Sequence, residues 1–176
     1  MNKEKIKKII KEIYSYVIIV VVVVLFRTFI ATPVRVDGSS MDSTLKNGDI
    51  LILNKLDKKY DRFDVVVVNI TIDGHKSKLV KRIIGLPGES IEYKDNELYI
   101  NGKIIEDIST ERTNNFSLED LYNLEKLPSD CYFVMGDNRN GSRDSRDYTV
   151  GIIKKEDIVG TTTIRLFPFN KIGKFN

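Results

Sequence analysis

The sequence has no tryptophan, one cysteine, one histidine and four prolines among 176 residues. A single cysteine, Cys131, excludes an internal disulfide framework and a cysteine-based zinc site. It leaves the compartment open, because exported proteins can lack disulfides. The one histidine, His75, directly follows the turn signal Asp73-Gly74. A hairpin tip is solvent-exposed, which disfavours a Ser-His-Asp triad. An excess of either charge is also missing from most of the chain. The first twelve residues hold Lys3, Lys5, Lys7, Lys8 and Lys11 against Glu4 and Glu12. Taken from 28 basic and 25 acidic residues, these leave 23 of each sign and account for the whole net charge of +3. A nucleic-acid binder concentrates basic charge on its folded part, so that class is disfavoured. With 41% hydrophobic and 30% charged residues, disordered, collagen-like and polytopic membrane chains are excluded.

One long apolar run is present. Nineteen residues from Ile13 to Ala31 include five consecutive valines. As a helix they span roughly 28 Å, close to one hydrocarbon thickness. In lipid every backbone group must be bonded internally, so a lone segment is helical despite its valines. Arg27 sits near the end, where a long side chain reaches the headgroups. The lysines before the run place the N-terminus in the cytoplasm. A cleavable signal peptide is the competing reading. Arg27 after the run and the lack of a small-x-small site in Phe29-Ile30-Ala31 favour an anchor. The expected organisation is a basic tail over 1–12, a membrane anchor over 13–31 and an outer domain over 32–176.

The outer part is β-rich. Val65–Ile70 and Leu79–Ile84 flank Asp73-Gly74 as a hairpin. Ile91–Tyr93, Glu97–Ile100 and Lys103–Ile105, separated by Asp95-Asn96 and Asn101-Gly102, form a short meander within a small elaboration over about 89–130. Cys131–Met135 and Ile158–Phe167 are further strands, the latter expected to be the last. One helix is signalled, by a capping box at Ser117–Asp120 with Leu118, Leu121 and Leu124 at helical spacing.

Three segments carry polar residues that local structure does not require. The first is Val36-Asp37-Gly38-Ser39-Ser40-Met41-Asp42-Ser43-Thr44-Leu45. Val34 and Val36 alternate as on a strand, and Gly38 permits a tight turn that presents a serine. An ordinary Gly-Ser turn is the plainer reading. The second is Lys81-Arg82-Ile83-Ile84-Gly85-Leu86-Pro87-Gly88, in an apolar strand. An inward Lys81 loses solvation, its pKa falls, and it becomes a base near neutrality. Alternatively Lys81 faces water and Arg82 faces inward, or Lys81 snorkels. The third is the loop Gly136-Asp137-Asn138-Arg139-Asn140-Gly141-Ser142-Arg143-Asp144-Ser145-Arg146, where arginine–carboxylate pairs can brace a self-bonded turn. A solvated loop is the alternative. With histidine disfavoured, a serine hydroxyl still needs a base, and a buried lysine is the remaining candidate.

Together, in this order, the segments resemble the bacterial type I signal peptidases of the single-anchor, Gram-positive kind. The serine motif of that family is Gly-x-Ser-Met-x-Pro-Thr-Leu, which Gly38–Leu45 matches except at Ser43. Its lysine motif, Lys-Arg-x-x-Gly-Leu-Pro-Gly, matches Lys81–Gly88. Its third motif, Gly-Asp-Asn-Arg-x-x-Ser-x-Asp-Ser-Arg, matches Gly136–Arg146 throughout. Arg62–Val67 is similar to the Arg-Gly-Asp-Ile-Val strand of the family, with Phe63 in place of glycine.

The resemblance implies a mostly-β fold, a catalytic domain of coiled antiparallel sheets after a single transmembrane helix. It implies a serine endopeptidase that removes signal peptides from exported preproteins at the outer membrane face. Ser40 is then the nucleophile and Lys81 the general base; Ser39 is the rival, but Met41 sets the alignment on Ser40. Ser142 orients the lysine, and Asp144 and Arg146 hold the loop. The Ser40 backbone N–H is the oxyanion donor. Gly38 stands where some relatives carry a serine that assists the hole, so a second donor must come from backbone or water. Substrate is expected as an added strand beside Asp37, Gly38 and Ser39 and the Lys81 strand, with Val34, Val36, Met41, Leu79 and Val80 shaping pockets for an Ala-x-Ala site. No metal or cofactor is implied, and the partners are preproteins and the lipid bilayer of the cell membrane. Two other readings are a non-catalytic assembly relative, which would lack the Ser-Lys pair, and a self-cleaving repressor-type protease, which would carry a DNA-binding domain.

Overall fold

A computed structural model of the chain describes residues 3–72 and 74–175. Met1 and Asn2 of the expected tail, Asp73 of the expected turn and the terminal Asn176 lie outside the described residues. One helix, α1, runs from Lys3 to Phe29, so the basic residues and the valine run share one continuous rod. Its stretch Lys7–Phe29 is long and apolar enough to cross a membrane, and none of it is buried against the rest of the protein. It is apolar all round because no side is reserved for a protein core.

The strands follow as β1 (Ala31–Arg35), β2 (Ile50–Asn54), β3 (Val65–Ile72), β4 (His75–Gly85), β5 (Ile91–Lys94), β6 (Glu97–Ile100), β7 (Lys103–Ile105), β8 (Phe116–Ser117), β9 (Cys131–Met135), β10 (Ile153–Lys154), β11 (Ile158–Phe167) and β12 (Gly173–Lys174). A short helix α2, Leu118–Tyr122, follows β8. Among the described residues the larger sheet runs in the order β1-β2-β11-β3-β4-β9-β10, with β12 added on β11. Every pairing in it is antiparallel. The smaller sheet is β7-β6-β5-β8. The expected mostly-β architecture after one helix is therefore the observed one.

The expected hairpin forms as β3–β4, with Gly74 at φ +77°. The meander forms as β5–β6–β7. Its turns put Asp95 and Asn96, and Asn101 and Gly102, at positive φ, as a two-residue hairpin turn requires. The capping box forms in full: Ser117 Oγ accepts from the Asp120 N–H, and Asp120 accepts from the Ser117 N–H. Asn123 then enters the left-handed region and ends α2, so Leu124 lies beyond it. Sequence reading passed over β2, β8, β10 and β12. Three of these are two-residue strands that exist only through their partners. Ile158–Phe167 is accordingly not the last strand.

The sheet is covered on both faces at one end. Val65–Val68 are all buried, and alternation begins only further along β3. On one face Val66, Val68 and Ile83 pack with Tyr132, Val134 and Ile158. On the other, Val65 joins Val36, Met41, Leu45 and Leu51. Ile84, Phe133 and Met135 meet the smaller sheet through Ile91, Tyr93 and Leu98. This doubly covered end carries the three polar segments.

Candidate active site

Lys81 and Arg82 are both buried, at 1% and 2% exposure. A strand sends consecutive side chains to opposite faces, so both are enclosed only because the sheet is covered on both sides. The two readings of this pair are thus decided together: Lys81 points inward, and so does Arg82, on the other face.

The pairing register shows what each meets. Arg82 lies opposite Met135 where β4 pairs with β9. One step along, Lys81 is set across from Gly136 on the same face. A Cβ on Gly136 would collide with the Ser142 hydroxyl and the Ser40 carbonyl. The glycine is therefore required: the Ser142 hydroxyl and the Ser40 carbonyl occupy the space where its side chain would stand, across the strand pair from Lys81. The Ser142 Oγ is buried without an aligned hydrogen-bond partner. Ser40 is half-buried, while Gly38, at φ +94°, and Ser39 are exposed.

The electrostatics leave the Lys81 ammonium only partly compensated. Burial lowers its pKa from the ordinary 10.5 to about 8; Asp144 and Asp137 oppose this, and Arg146 adds to it. Both carboxylates are already committed. Arg146 grips Asp144 through Nε at 2.9 Å and Nη2 at 2.8 Å. Asp144 also accepts from the Gly136 N–H at 2.9 Å. Burial alone would raise the Asp144 pKa, but Arg146, that N–H and the nearby Ser142 hydroxyl outweigh it and hold it below the usual carboxylate range. The Ser142 hydroxyl is close enough to contribute there without being aligned for a bond.

On the opposite face one buried ion pair joins all three segments. Asp137 accepts Arg82 Nε at 2.8 Å and Nη2 at 2.7 Å. Its Oδ2 also accepts the Thr44 hydroxyl at 2.6 Å. Arg82 further donates to the Phe63 carbonyl at 2.8 Å. Thr44 follows Ser40 by four positions, Arg82 follows Lys81, and Asp137 follows Gly136. The pair therefore fixes the spacing of the three segments from behind. Asn138 adds a front tie: its N–H donates to the Ser40 carbonyl and its Nδ2 to the Ser39 carbonyl, each at 3.1 Å. Asp137 and Asn138 were not singled out from sequence. Their signal was their place in a polar loop and at the Asp and Asn positions of the third motif.

A groove of about 260 Å³ opens beside Ser40, lined by Val34, Val36, Asp37, Leu79 and Val80 among others. Arg35, Val67 and Lys78 also line it and had no sequence signal. Met41 is buried at 1% in the core beneath and does not line it. β4 has a free edge along the groove, because its pairing with β9 starts only at Arg82. His75 is exposed, and Cys131 is buried in β9.

Known proteins resemble the chain over most of its length. The family described as "Signal peptidase, peptidase S26" matches residues 8–167. The chain belongs to this family. It is a serine endopeptidase of the kind that removes signal peptides from preproteins. Signal peptidase I S of Bacillus subtilis (strain 168) is 40% identical over 99% of this chain and 98% of its own length. Signal peptidase I of Bacillus caldolyticus is 37% identical over 98% of both. A crystal structure of a signal peptidase I from Enterococcus faecalis V583 matches with a TM-score of 0.51 and 35% identity, covering 58% of this chain and 96% of that one.

Ser43, where the serine motif of signal peptidases carries proline, is exposed in a turn. The turn is held by Asp42 N–H to Ser39 O (3.1 Å), Thr44 N–H to Met41 O (2.8 Å) and Leu45 N–H to Met41 O (2.6 Å). The Ser43 N–H serves no acceptor among the described residues, so proline there sacrifices no bond. Ser43→Pro is expected to stabilise the protein by about 0.4–1 kcal/mol with cleavage retained. A higher thermal midpoint of the full chain checks this.

Proposed function

We propose that this signal peptidase works through Ser40 as nucleophile and Lys81 as general base, on the outer face of the cell membrane. The observation that carries the reading is the buried Lys81, in no ion pair among the described residues and across the strand pair from Gly136, against which the Ser40 carbonyl and the Ser142 hydroxyl are packed. Neutral Lys81 takes the proton from the Ser40 hydroxyl as Oγ bonds to the scissile carbonyl carbon. The carbonyl electron pair moves to oxygen, and the Ser40 N–H donates a hydrogen bond to the oxyanion. The carbon–nitrogen bond then breaks, and Lys81 returns the proton to the departing amine. Lys81 next deprotonates water, which adds to the acyl carbon; the bond from that carbon to Oγ then breaks, and Lys81 returns the proton to Ser40. The unpartnered Ser142 hydroxyl accepts from the Lys81 ammonium and orients it. Asp144 and Arg146, locked to each other, hold the loop that carries Ser142.

The substrate lies in the groove as a strand against the free edge of β4. Val34, Val36, Leu79 and Val80 leave room for small residues, which selects an Ala-x-Ala site. The apolar helix α1 anchors the domain in the bilayer, with the lysine-rich end in the cytoplasm. β1 starts two residues after α1, so the groove is held close to the membrane surface.

The test is cleavage of a preprotein with an Ala-x-Ala site by the full chain in lipid. Ser40→Ala is expected to lose all but residual activity, a drop on the order of 10⁴-fold or more. Activity that survives Ser40→Ala would move the nucleophile to Ser39. A well-folded native protein that cuts nothing would favour the assembly role.

A further inference from the structure

We propose that Asn138 is the positioning residue of the oxyanion hole: it pins the Ser39–Ser40 peptide so that the Ser40 N–H points at the reacting carbonyl. The inference rests on Ser40 being the nucleophile.

A peptide unit is planar, and in the trans form its C=O and N–H point in opposite directions. The only cis bond among the described residues is Phe167–Pro168. Fixing the Ser39 carbonyl therefore fixes the direction of the Ser40 N–H. Two donors hold that carbonyl, the Asp42 N–H and the Asn138 Nδ2, each at 3.1 Å. The first is local to the turn and moves with it. The second comes from ninety-nine positions away and ties the peptide to the loop after β9. Asn138 also holds the next carbonyl, donating its own N–H to Ser40 O at 3.1 Å. Both peptides that flank the nucleophile are thus set by one residue. The Ser40 N–H itself serves no acceptor among the described residues.

The orientation of the Asn138 amide is determined by its surroundings. Its Oδ1 accepts from the Gly141 N–H at 2.8 Å, which leaves Nδ2 to face Ser39. Gly141 must be glycine for this. A Cβ there would stand 2.6 Å from the Asn138 Nδ2 and 2.9 Å from its Oδ1. A carbonyl that accepts two hydrogen bonds also polarises its own amide, which makes the Ser40 N–H a stronger donor. The need is greater here because Gly38 supplies no hydroxyl to the hole.

The test uses the full chain in lipid, with Asn138→Ala and Asn138→Asp. The aspartate keeps the shape and the oxygen that accepts from Gly141, but cannot donate to Ser39. Both variants are expected to lose about 10- to 100-fold in kcat, with KM changed less than about threefold. An alanine-terminated peptide aldehyde is the second probe. Ser40 Oγ adds to its carbonyl carbon, the proton passes to Lys81, and the oxyanion enters the hole. Its affinity is expected to fall by the same factor as kcat. In Asn138→Ala the pH midpoint of activity is expected to stay in place, since Lys81 is untouched. Gly141→Ala is expected to share the kcat loss. Retention of native kcat by either Asn138 variant, or a loss confined to KM, overturns the proposal. Cleavage by Ser40→Ala overturns instead the reading on which it rests.

Discussion

Lys81→Met is expected to abolish cleavage and at the same time to make the protein more stable, by roughly 3 kcal/mol at pH 7. The side chain is 1% exposed, and burial lowers its pKa from 10.5 to about 8. At pH 7 the ammonium is charged in the folded and the unfolded chain, and the folded state bears the cost of its burial, which Asp144 and Asp137 offset only in part. As pH rises from about 8 to 10.5 the folded protein releases the proton first, so native stability climbs and the gap to the methionine variant closes. Denaturant titrations at pH 7 and pH 10 check both ends. With Lys81 as the proposed base, native activity is expected to rise with pH through about 8, since only a neutral amine can accept a proton. A methionine variant no more stable than native at pH 7 would mean that Lys81 is paired or hydrated, and the basis for its low pKa would be gone.

Asp137→Ala is expected to cost about 3–5 kcal/mol, because it strands the Arg82 guanidinium in a buried site. It also removes the acceptor of the Thr44 hydroxyl. With total stability of about 5–15 kcal/mol for a domain of ordinary size, that is a large fraction. Cleavage should fall with it, although Asp137 touches no reacting atom, since the serine, lysine and loop segments lose their common tie. The contrast is Arg143→Ala. Its partner Asp147 lies 3.6 Å away with both side chains well exposed. Such a pair contributes little, so no measurable change is expected. Equilibrium unfolding of both variants decides whether the buried pair carries that weight.

Much of the fold was legible in local sequence. The turns at Asp95-Asn96 and Asn101-Gly102 need positive φ, and few residues other than asparagine, aspartate and glycine accept it. Ser117 and Asp120 satisfy each other across three positions, so α2 announces its own start. The strands at Val65, Leu79 and Cys131 follow from apolar β-branched runs of strand length. β8, β10 and β12 did not, because two residues carry no period.

For the site, the chain alone determined which residues to weigh. An apolar strand interrupted by a lysine, a serine after a Gly turn and a loop dense in Asp, Asn and Arg are all visible as local departures from what structure needs. Tertiary structure alone decided how they act. Period-two alternation puts one of Lys81 and Arg82 outside, and only cover on both faces of the sheet buries both. That same cover pairs Arg82 with Asp137 and buries Lys81 with no ion pair among the described residues, which lowers its pKa. The Asn138 tie to Ser39 joins residues ninety-nine positions apart. No window along the chain contains both ends of such a bond, so it exists only once the sheet has brought β9 and the serine turn together.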